Sequence, residues 1–382
     1  MAKLLYYVPE DYGFVSHRFQ LAKKMLSLGH EVIVVTRVNE HAEVITSAGF
    51  MLVELGNATN KRHSNILRNF LKLIMIYRDV QPDIVHHFSL RMVIMGTMAA
   101  KLNGNIRIIN AITGLGSIFL SDQLRYRLIK VFVINLLRKL LPKTFVTTQN
   151  RDDYRFIEKL SIPKIDLHLI LGTGVDINHY YPVKKHNKVP IVMLPSRMLL
   201  HKGIVEFVGA ARSLRKKFLN CRFVLVGDSD DSNHSSIGKE QLFSWQEEGW
   251  IEWWGHKQDM SKALAKADIV CLPTYGEGLP KSLLEAASSG IAIVATDVPG
   301  CREIVEHGVN GFLVPAKDSE SLSLALEQLI SDRELQQLMG QKSREKIVAS
   351  VSSDIVINKT VDLYSECFPK KFKSEKNSNL KL

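Results

Sequence analysis

Short apolar runs recur along the chain, each closed by a glycine, a proline or a polar turn and followed by a stretch in which apolar residues return every three or four positions. Leu4 to Val8 is the first such run and stops at Pro9. Asp11-Tyr-Gly-Phe14 follows as a loop, then a helical pattern from Ser16 to Leu28, closed by Gly29, and then a second buried run from Glu31 to Thr36. Strand, loop, helix, glycine, strand is the unit from which parallel sheets are built, because a parallel neighbour needs a crossover to bring the chain back. The rhythm repeats at Phe50–Leu55, Asp83–His86, Arg107–Asn110 and Lys143–Thr147.

A second series begins after Tyr180-Tyr-Pro182 and the polar stretch Lys184-Lys-His-Asn-Lys188. Its strands are predicted at Pro190–Leu194, Arg222–Val226, Ile251–Trp254, Ile269–Leu272, Ile291–Ala295 and Gly311–Val314. The pattern therefore predicts an α/β chain of two doubly wound, Rossmann-like halves, residues 1–180 and 181–350. A helix over 351–368 is expected to return to the first half, and 369–382 reads as a basic, disordered tail. In such sheets ligands bind beyond the carboxyl ends of the strands, so the site is expected to face the crevice between the halves.

Composition narrows this picture. At 382 residues the chain exceeds what one core supports. A hydrophobic fraction of 46% is that of an ordinary soluble protein. No run reaches the ~18 apolar residues of a membrane span, and Met1-Ala-Lys-Leu-Leu-Tyr-Tyr-Val8 is too short and too aromatic for a signal peptide. The chain is therefore expected in the cytoplasm. Cys221, Cys271, Cys301 and Cys367 lie far apart with no Cys-x-x-Cys pair, which argues against a zinc site and a disulfide framework and for buried thiols. A formal net charge of +11 calls for an anionic partner, and nucleic acid, an anionic membrane surface and a phosphorylated small molecule all qualify.

The sharpest local signal is Tyr275-Gly-Glu-Gly-Leu-Pro-Lys-Ser-Leu-Leu-Glu285, which follows the predicted strand ending at Leu272-Pro273. Gly276 and Gly278 let the backbone approach a ligand, and Pro280 suits a first helical turn because its missing N–H costs nothing there. The helix starting near Pro280 aims free amides and the positive end of its dipole at the strand ends, which suits a phosphate or sugar hydroxyls. Glu277 in the loop can accept from sugar hydroxyls, and Glu285 on the helix can take a ribose diol. Singly, each glutamate reads as an ordinary loop or solvated helix residue; together in this setting they read as a ligand site. In Pro195-Ser-Arg-Met-Leu-Leu-His-Lys-Gly203, Arg197 and Lys202 bracket a turn ahead of the helical stretch Ile204–Phe218. Both cations can point at one anion such as a diphosphate. As a merely solvated pair they would oppose the helix dipole.

These segments resemble the C-terminal domain of the retaining glycosyltransferases of family 4, whose GT-B fold sets two Rossmann-like domains across a central cleft. The family's Arg-x4-Lys pair corresponds to Arg197 and Lys202, and its Glu-x7-Glu element to Glu277 and Glu285. Val226-Gly-Asp228, Trp254-Gly255, Asp297-Val-Pro-Gly300, Glu303-Ile-Val305 and Gly308-Val-Asn-Gly-Phe-Leu-Val314 extend the match across residues 190–315. The resemblance implies an enzyme that takes a nucleoside-diphosphate sugar, keeps the anomeric configuration and requires no metal or other cofactor. Arg197 and Lys202 would hold the diphosphate and stabilise it as it leaves. The stretch Gly278, Leu279, Pro280 and Lys281 would hold sugar and phosphate, Glu277 the sugar hydroxyls, Glu285 the ribose, and the backbone near Trp254 and Gly255 the base.

The first half resembles the family more loosely. Gly13 lies where these enzymes bring a glycine loop under the donor phosphates. Ser16-His-Arg18, Pro82-Asp-Ile-Val-His-His-Phe-Ser-Leu-Arg91 and Asn110-Ala-Ile-Thr-Gly-Leu-Gly116 resemble segments of bacterial capsule, O-antigen and protein-glycosylation transferases that extend sugars on undecaprenyl diphosphate. His17, Arg18, His86, His87, Arg91 and Thr113 thereby become candidates for acceptor or phosphate contacts, although each histidine also reads as structural. Where many family members carry an active-site histidine, this chain has Phe88.

Asp228-Ser-Asp-Asp231 mimics a metal-binding pair but reads as a surface loop, and Gly114-Leu-Gly116 and Gly172-Thr-Gly174 lack the third glycine of a dinucleotide fingerprint. Leu124–Leu141, apolar with interspersed cations, reads first as a helix packed on the sheet with a basic outer face. Its second reading is an interfacial membrane helix, supported by Asn60-Lys-Arg-His63, Arg68 and Lys72. The expectation is thus transfer of a hexose or N-acetylhexosamine from a UDP-sugar to a polyprenyl-diphosphate-linked saccharide, at the inner face of a bacterial membrane. Nucleic acid is not expected, because the basic residues do not interleave with aromatics. A nucleotide-sugar epimerase of the same fold and a non-catalytic sugar-nucleotide-binding subunit are the alternatives.

Overall fold

The computed structural model describes residues 1–57, 66–116, 119, 123–183, 187–217, 220–230, 233 and 235–372. The Asn60-Lys-Arg-His63 cluster, residues 184–186, Asp231 and the tail beyond 372 lie outside the described residues. The chain forms two compact units, one of residues 1–173 together with those from 356 onward, the other of residues 174–355.

The first unit holds seven strands: β1 (Lys3–Glu10), β2 (Glu31–Val38), β3 (Met51–Asn57), β4 (Ile84–Phe88), β5 (Arg107–Ile112), β6 (Phe145–Thr148) and β7 (Asp166–Leu169). All pair in parallel, in the order β3-β2-β1-β4-β5-β6-β7, so the winding reverses between β1 and β4. Side chains alternate across the sheet. Leu5 and Tyr7 point to the face covered by the helices Ile66–Val80 and Leu90–Leu102, packing with Leu73, Ile76, Tyr77, Met92 and Ala99. Tyr6 points the other way, to Phe14 and to Tyr364 of the helix Ser353–Cys367, whose hydroxyl donates to that of Tyr6 at 3.0 Å.

Two features of this unit depart from the sequence pattern. The strand β7, Asp166-Leu-His-Leu169, has too few apolar residues to announce itself and is found only through its pairing with β6. The predicted loop after β1 is instead a helix, Asp11–His17. The fully buried Asp11 carboxylate fixes that start, accepting the amides of Tyr12 at 2.7 Å, Asn39 at 2.7 Å and His41 at 2.9 Å. Gly13 therefore sits inside a helix rather than in a glycine loop, and a Cβ there would meet nothing within 4 Å.

The second unit carries β8 (Ile191–Pro195), β9 (Arg222–Val226), β10 (Glu252–Trp253), β11 (Ile269–Leu272), β12 (Ala292–Thr296) and β13 (Gly311–Val314), again all parallel, in the order β10-β9-β8-β11-β12-β13. β8, β11 and β12 are buried along their whole length, as strands covered on both faces must be. The unit begins at Gly174 rather than near residue 180 because residues 175–180 are tied into it. Val175 donates to Val351 at 3.1 Å and accepts from Ser353 at 2.9 Å, and the Arg344 guanidinium donates to the carbonyls of Ile177 and Tyr180. The four cysteines are free and buried, and burial pushes the Cys221 thiol up to about 11. Among the described residues no helix is long and apolar enough to cross a membrane.

Candidate functional site

In the second unit the two motifs meet at the carboxyl ends of β8 and β11. After Pro195 the chain turns through Ser196 and Arg197 into the short 3-10 helix Leu200–Lys202, and Gly203 opens the helix Ile204–Lys216. Gly203 has φ 77°, and a Cβ on it would collide with the carbonyl of Pro273. This close approach brings the turn onto the segment after β11: the carbonyl of His201 accepts from the Tyr275 amide at 2.8 Å and from the Thr274 hydroxyl at 3.1 Å. Lys202 lands beside Glu277, and its ammonium donates to Oε1 of that carboxylate.

The Glu277 loop is clamped from behind by Gly300, whose amide donates to the Glu277 carbonyl at 3.2 Å. A Cβ at residue 300 would fall 2.6 Å from the Gly278 carbonyl, so only glycine lets the loop rest there. Gly276, Glu277, Gly278 and Leu279 remain partly exposed, whereas Pro280 is buried and caps the helix Lys281–Ser288, its carbonyl accepting from Leu283 and Leu284. On that helix Glu285 is 6% exposed, with Lys281 at 3.6 Å and the Tyr180 hydroxyl bonded to it. Burial pushes its carboxyl pKa up, while Lys281 and the Tyr180 hydroxyl pull the other way. It is not a solvated helix residue.

The four charged groups divide into pairs. Lys202 is engaged with Glu277, and Arg197, the more exposed cation, faces Asp230 at 4.0 Å. Both cations act on one imidazole: burial and Lys202 lower the pKa of His201, with Arg197 adding to that and Glu277 opposing it. The Trp254-Gly255 corner follows β10, with the Gly255 carbonyl accepting from Gly227 at 2.9 Å. Asp228 is spent on the fold, since its carboxylate accepts the His256 amide at 3.1 Å and its carbonyl the Met198 amide at 3.0 Å. Among the described residues no cluster of His, Cys, Asp or Glu could hold a metal ion.

The candidates of the first unit scatter. His87 is fully buried, its Nδ1 2.7 Å from Asn110 Oδ1 and its Nε2 3.0 Å from the Tyr77 hydroxyl. Burial lowers its pKa to about 4, and Gly96 leaves the space its ring fills. It is a structural histidine. His86 points to the other face, where Nδ1 lies 2.7 Å from the Tyr364 hydroxyl while the buried Nε2 has no hydrogen-bond partner among the described residues. Arg18 stacks over Phe88 at 4.2 Å and joins His86, Thr147 and Gln149 around a cavity of about 20 Å³, room for one water. His17 is exposed, Thr113 follows β5 half-buried, and Arg91 is exposed in the first turn of Leu90–Leu102, on the Tyr7 side.

Comparison with known proteins identifies the family and the fold. The family described as "Glycosyl transferase 4-like" matches residues 3–149, and "Glycosyl transferases group 1" matches residues 189–332; together they span well over half of the chain. The chain belongs to this glycosyltransferase family. The glycosyltransferase is 27% identical to N,N'-diacetylbacillosaminyl-diphospho-undecaprenol alpha-1,3-N-acetylgalactosaminyltransferase of Campylobacter jejuni, over 92% of this chain and 97% of that protein. It is 24% identical to UDP-Gal:alpha-D-GlcNAc-diphosphoundecaprenol alpha-1,3-galactosyltransferase of Escherichia coli, over 79% of this chain and 81% of that one. The structure of Anabaena Alr3699/HepE in complex with UDP and glucose superposes with a TM-score of 0.78 at 16% identity, covering 96% of this chain and all of that one. The fold is GT-B, with two Rossmann-like domains.

Sequence reasoning did not single out Tyr180, His201, Thr274 or Arg344 of the glycosyltransferase. Each acquires its place through contacts far along the chain. Arg344, for example, holds both the Tyr180 carbonyl, at 2.8 Å, and the Ser288 carbonyl, at 2.7 Å, so the segment ending in Tyr180 is strapped to the Glu285 helix.

Proposed function

We propose that this glycosyltransferase moves a hexose or N-acetylhexosamine from a UDP-sugar to a saccharide linked to undecaprenyl diphosphate, with retention of configuration. The observation that carries the reading is the joining of Lys202 to Glu277 beside the Glu285 helix, which sets a cation, a carboxylate and a helix start around one half-open loop. Arg197 and Lys202 stabilise the diphosphate as the bond from the anomeric carbon to the phosphate oxygen breaks. Glu277 holds the sugar hydroxyls and Glu285 the ribose. The acceptor hydroxyl forms the new bond to the anomeric carbon, its proton passes to the leaving phosphate, and the nucleoside diphosphate departs. Because two cations neutralise the leaving group, the reaction needs no metal, and EDTA leaves turnover unchanged.

The nature of the acceptor is supported by the Campylobacter jejuni and Escherichia coli relatives, both of which are named for sugars linked to undecaprenol through a diphosphate. A membrane-surface location is supported by the outer face of the first unit. The helix Leu124–Leu140 buries Val133, Leu137 and Leu140 yet exposes Leu124, Leu128, Val131 and Phe132 between the exposed Arg127, Arg138 and Lys139. A basic, apolar face of this kind suits an anionic bilayer.

A thermal-shift panel of nucleotide sugars tests the donor. A true donor at a hundred times its Kd stabilises by about 2.7 kcal/mol, and the Glu277→Ala variant stays folded but transfers no sugar. Near-normal turnover by Glu277→Ala would sink the assignment. An epimerase would convert its nucleotide sugar with no acceptor present.

A further inference from the structure

The first unit holds a second pocket, of about 300 Å³, at the strand ends where the winding order reverses between β1 and β4. Ligands of doubly wound sheets bind at such reversals, beyond the strand ends. Tyr7, Arg37, Asn69, Ser89 and Arg91 line it, on the opposite face of the sheet from His86 and Arg18. Tyr7 is 3% exposed, with its ring edge-on to that of His87 and its hydroxyl end lining the pocket. Both guanidinium groups act on that hydroxyl: burial pushes its pKa up to about 12, and Arg91 and Arg37 pull against that. Arg91 has no ion-pair partner among the described residues, and Arg37 has only Glu10, at 3.7 Å across an exposed pair. Exposed pairs of this kind are weak, so an incoming anion can displace Glu10.

Asn69 joins Arg37 and Arg91 from the helix Ile66–Val80. Two cations and a buried hydroxyl suit a phosphate. We propose that this pocket binds the diphosphate of the lipid-linked acceptor, with Arg37, Arg91 and the Tyr7 hydroxyl as donors. This rests on the acceptor proposed above. It assigns the acceptor's phosphates to the first unit and leaves the donor's diphosphate to Arg197 and Lys202.

The test is steady-state kinetics on the full chain, with the undecaprenyl-diphosphate-linked saccharide and the UDP-sugar varied in turn. Arg91→Ala is expected to raise KM for the lipid-linked acceptor about tenfold, the loss of one charge-assisted contact, with KM for the UDP-sugar within about twofold. Tyr7→Phe shifts acceptor KM the same way by less. Glu10→Gln removes the competing carboxylate and lowers acceptor KM, an opposite sign that loss of fold cannot produce; it carries the test should Arg91→Ala fail to fold. Inorganic diphosphate competes with the acceptor in the wild type and more weakly in Arg91→Ala. If the wild type extends the acceptor but Arg91→Ala or Glu10→Gln leaves its KM unchanged, the pocket is overturned and the function stands. A shift confined to the UDP-sugar KM reassigns the pocket to the donor and overturns the proposal. If the wild type transfers no sugar to this acceptor, the acceptor assignment falls and the pocket's ligand with it.

Discussion

At the scale of single residues the site is organised by buried charge. Glu285 is kept nearly out of water with Lys281 and Tyr180 as partners, and its carboxyl holds a proton more tightly than an unfolded glutamate does. Stability therefore falls as pH rises from the ordinary carboxylate range through the raised value. Glu285→Gln removes that slope, so the variant is expected to resist urea at pH 8 at least as well as the wild type while binding UDP at least about tenfold more weakly. Parallel stability–pH curves for the two proteins, or intact UDP binding, contradict this. Asp11 has the opposite sign. Burial would raise its pKa, but the amides of His41, Asn39 and Tyr12 outweigh that and lower it. Its contribution is present above the unfolded value and is lost as pH falls through the lowered folded one. Asp11→Ala strands buried amides and is expected to cost about 2–4 kcal/mol in urea unfolding. Of these residues the sequence singled out Glu277, Glu285, Arg197 and Lys202 through their spacing. Asp11, Tyr180 and His201 were invisible, because what they do depends on partners that only folding brings near.

At the scale of elements, the glycines are where geometry is most constrained. Gly203 combines a left-handed backbone with a clash against Pro273, whereas Gly255, with φ 65°, has no atom nearer than 3.8 Å to a Cβ. Gly203→Ala should therefore cost about 2–4 kcal/mol, backbone and overlap together, and Gly255→Ala only about 1–2 kcal/mol for the backbone. Equal losses in urea unfolding would show that the close approach of the turn to Pro273 is not what fixes it. Most strands were legible as apolar runs punctuated by turn residues. β7 was not, because Asp166 and His168 break its pattern and only its partner β6 defines it. Nor was the helix Asp11–His17, since a glycine and a tyrosine so soon after a strand read as a loop until the carboxylate of Asp11 is seen to hold the turn.

For the whole molecule, repetition of one unit made the two-domain α/β architecture readable, since alternating strand and helix admits few other packings. What periodicity could not show was the outward face of the first unit's helices. An apolar stripe reads first as core, with an interfacial helix the second reading for Leu124–Leu141, and in the structure Leu124, Leu128 and Phe132 on that helix and Leu67, Leu71 and Met75 on another are exposed. With a net charge of +11 behind them, these faces predict binding to anionic vesicles that weakens with salt. Replacing Leu128 and Phe132 together by Asp should abolish co-sedimentation and leave the melting temperature unchanged; undiminished binding would exclude this face.

The most direct test of the central claim is mass analysis of the product formed from a panel of UDP-sugars and an undecaprenyl-diphosphate-linked saccharide. The predicted result is an acceptor heavier by one hexose or N-acetylhexosamine, with release of UDP, in the wild type and not in Glu277→Ala. An acceptor of unchanged mass across the whole panel, or product formation that survives in Glu277→Ala, would contradict it.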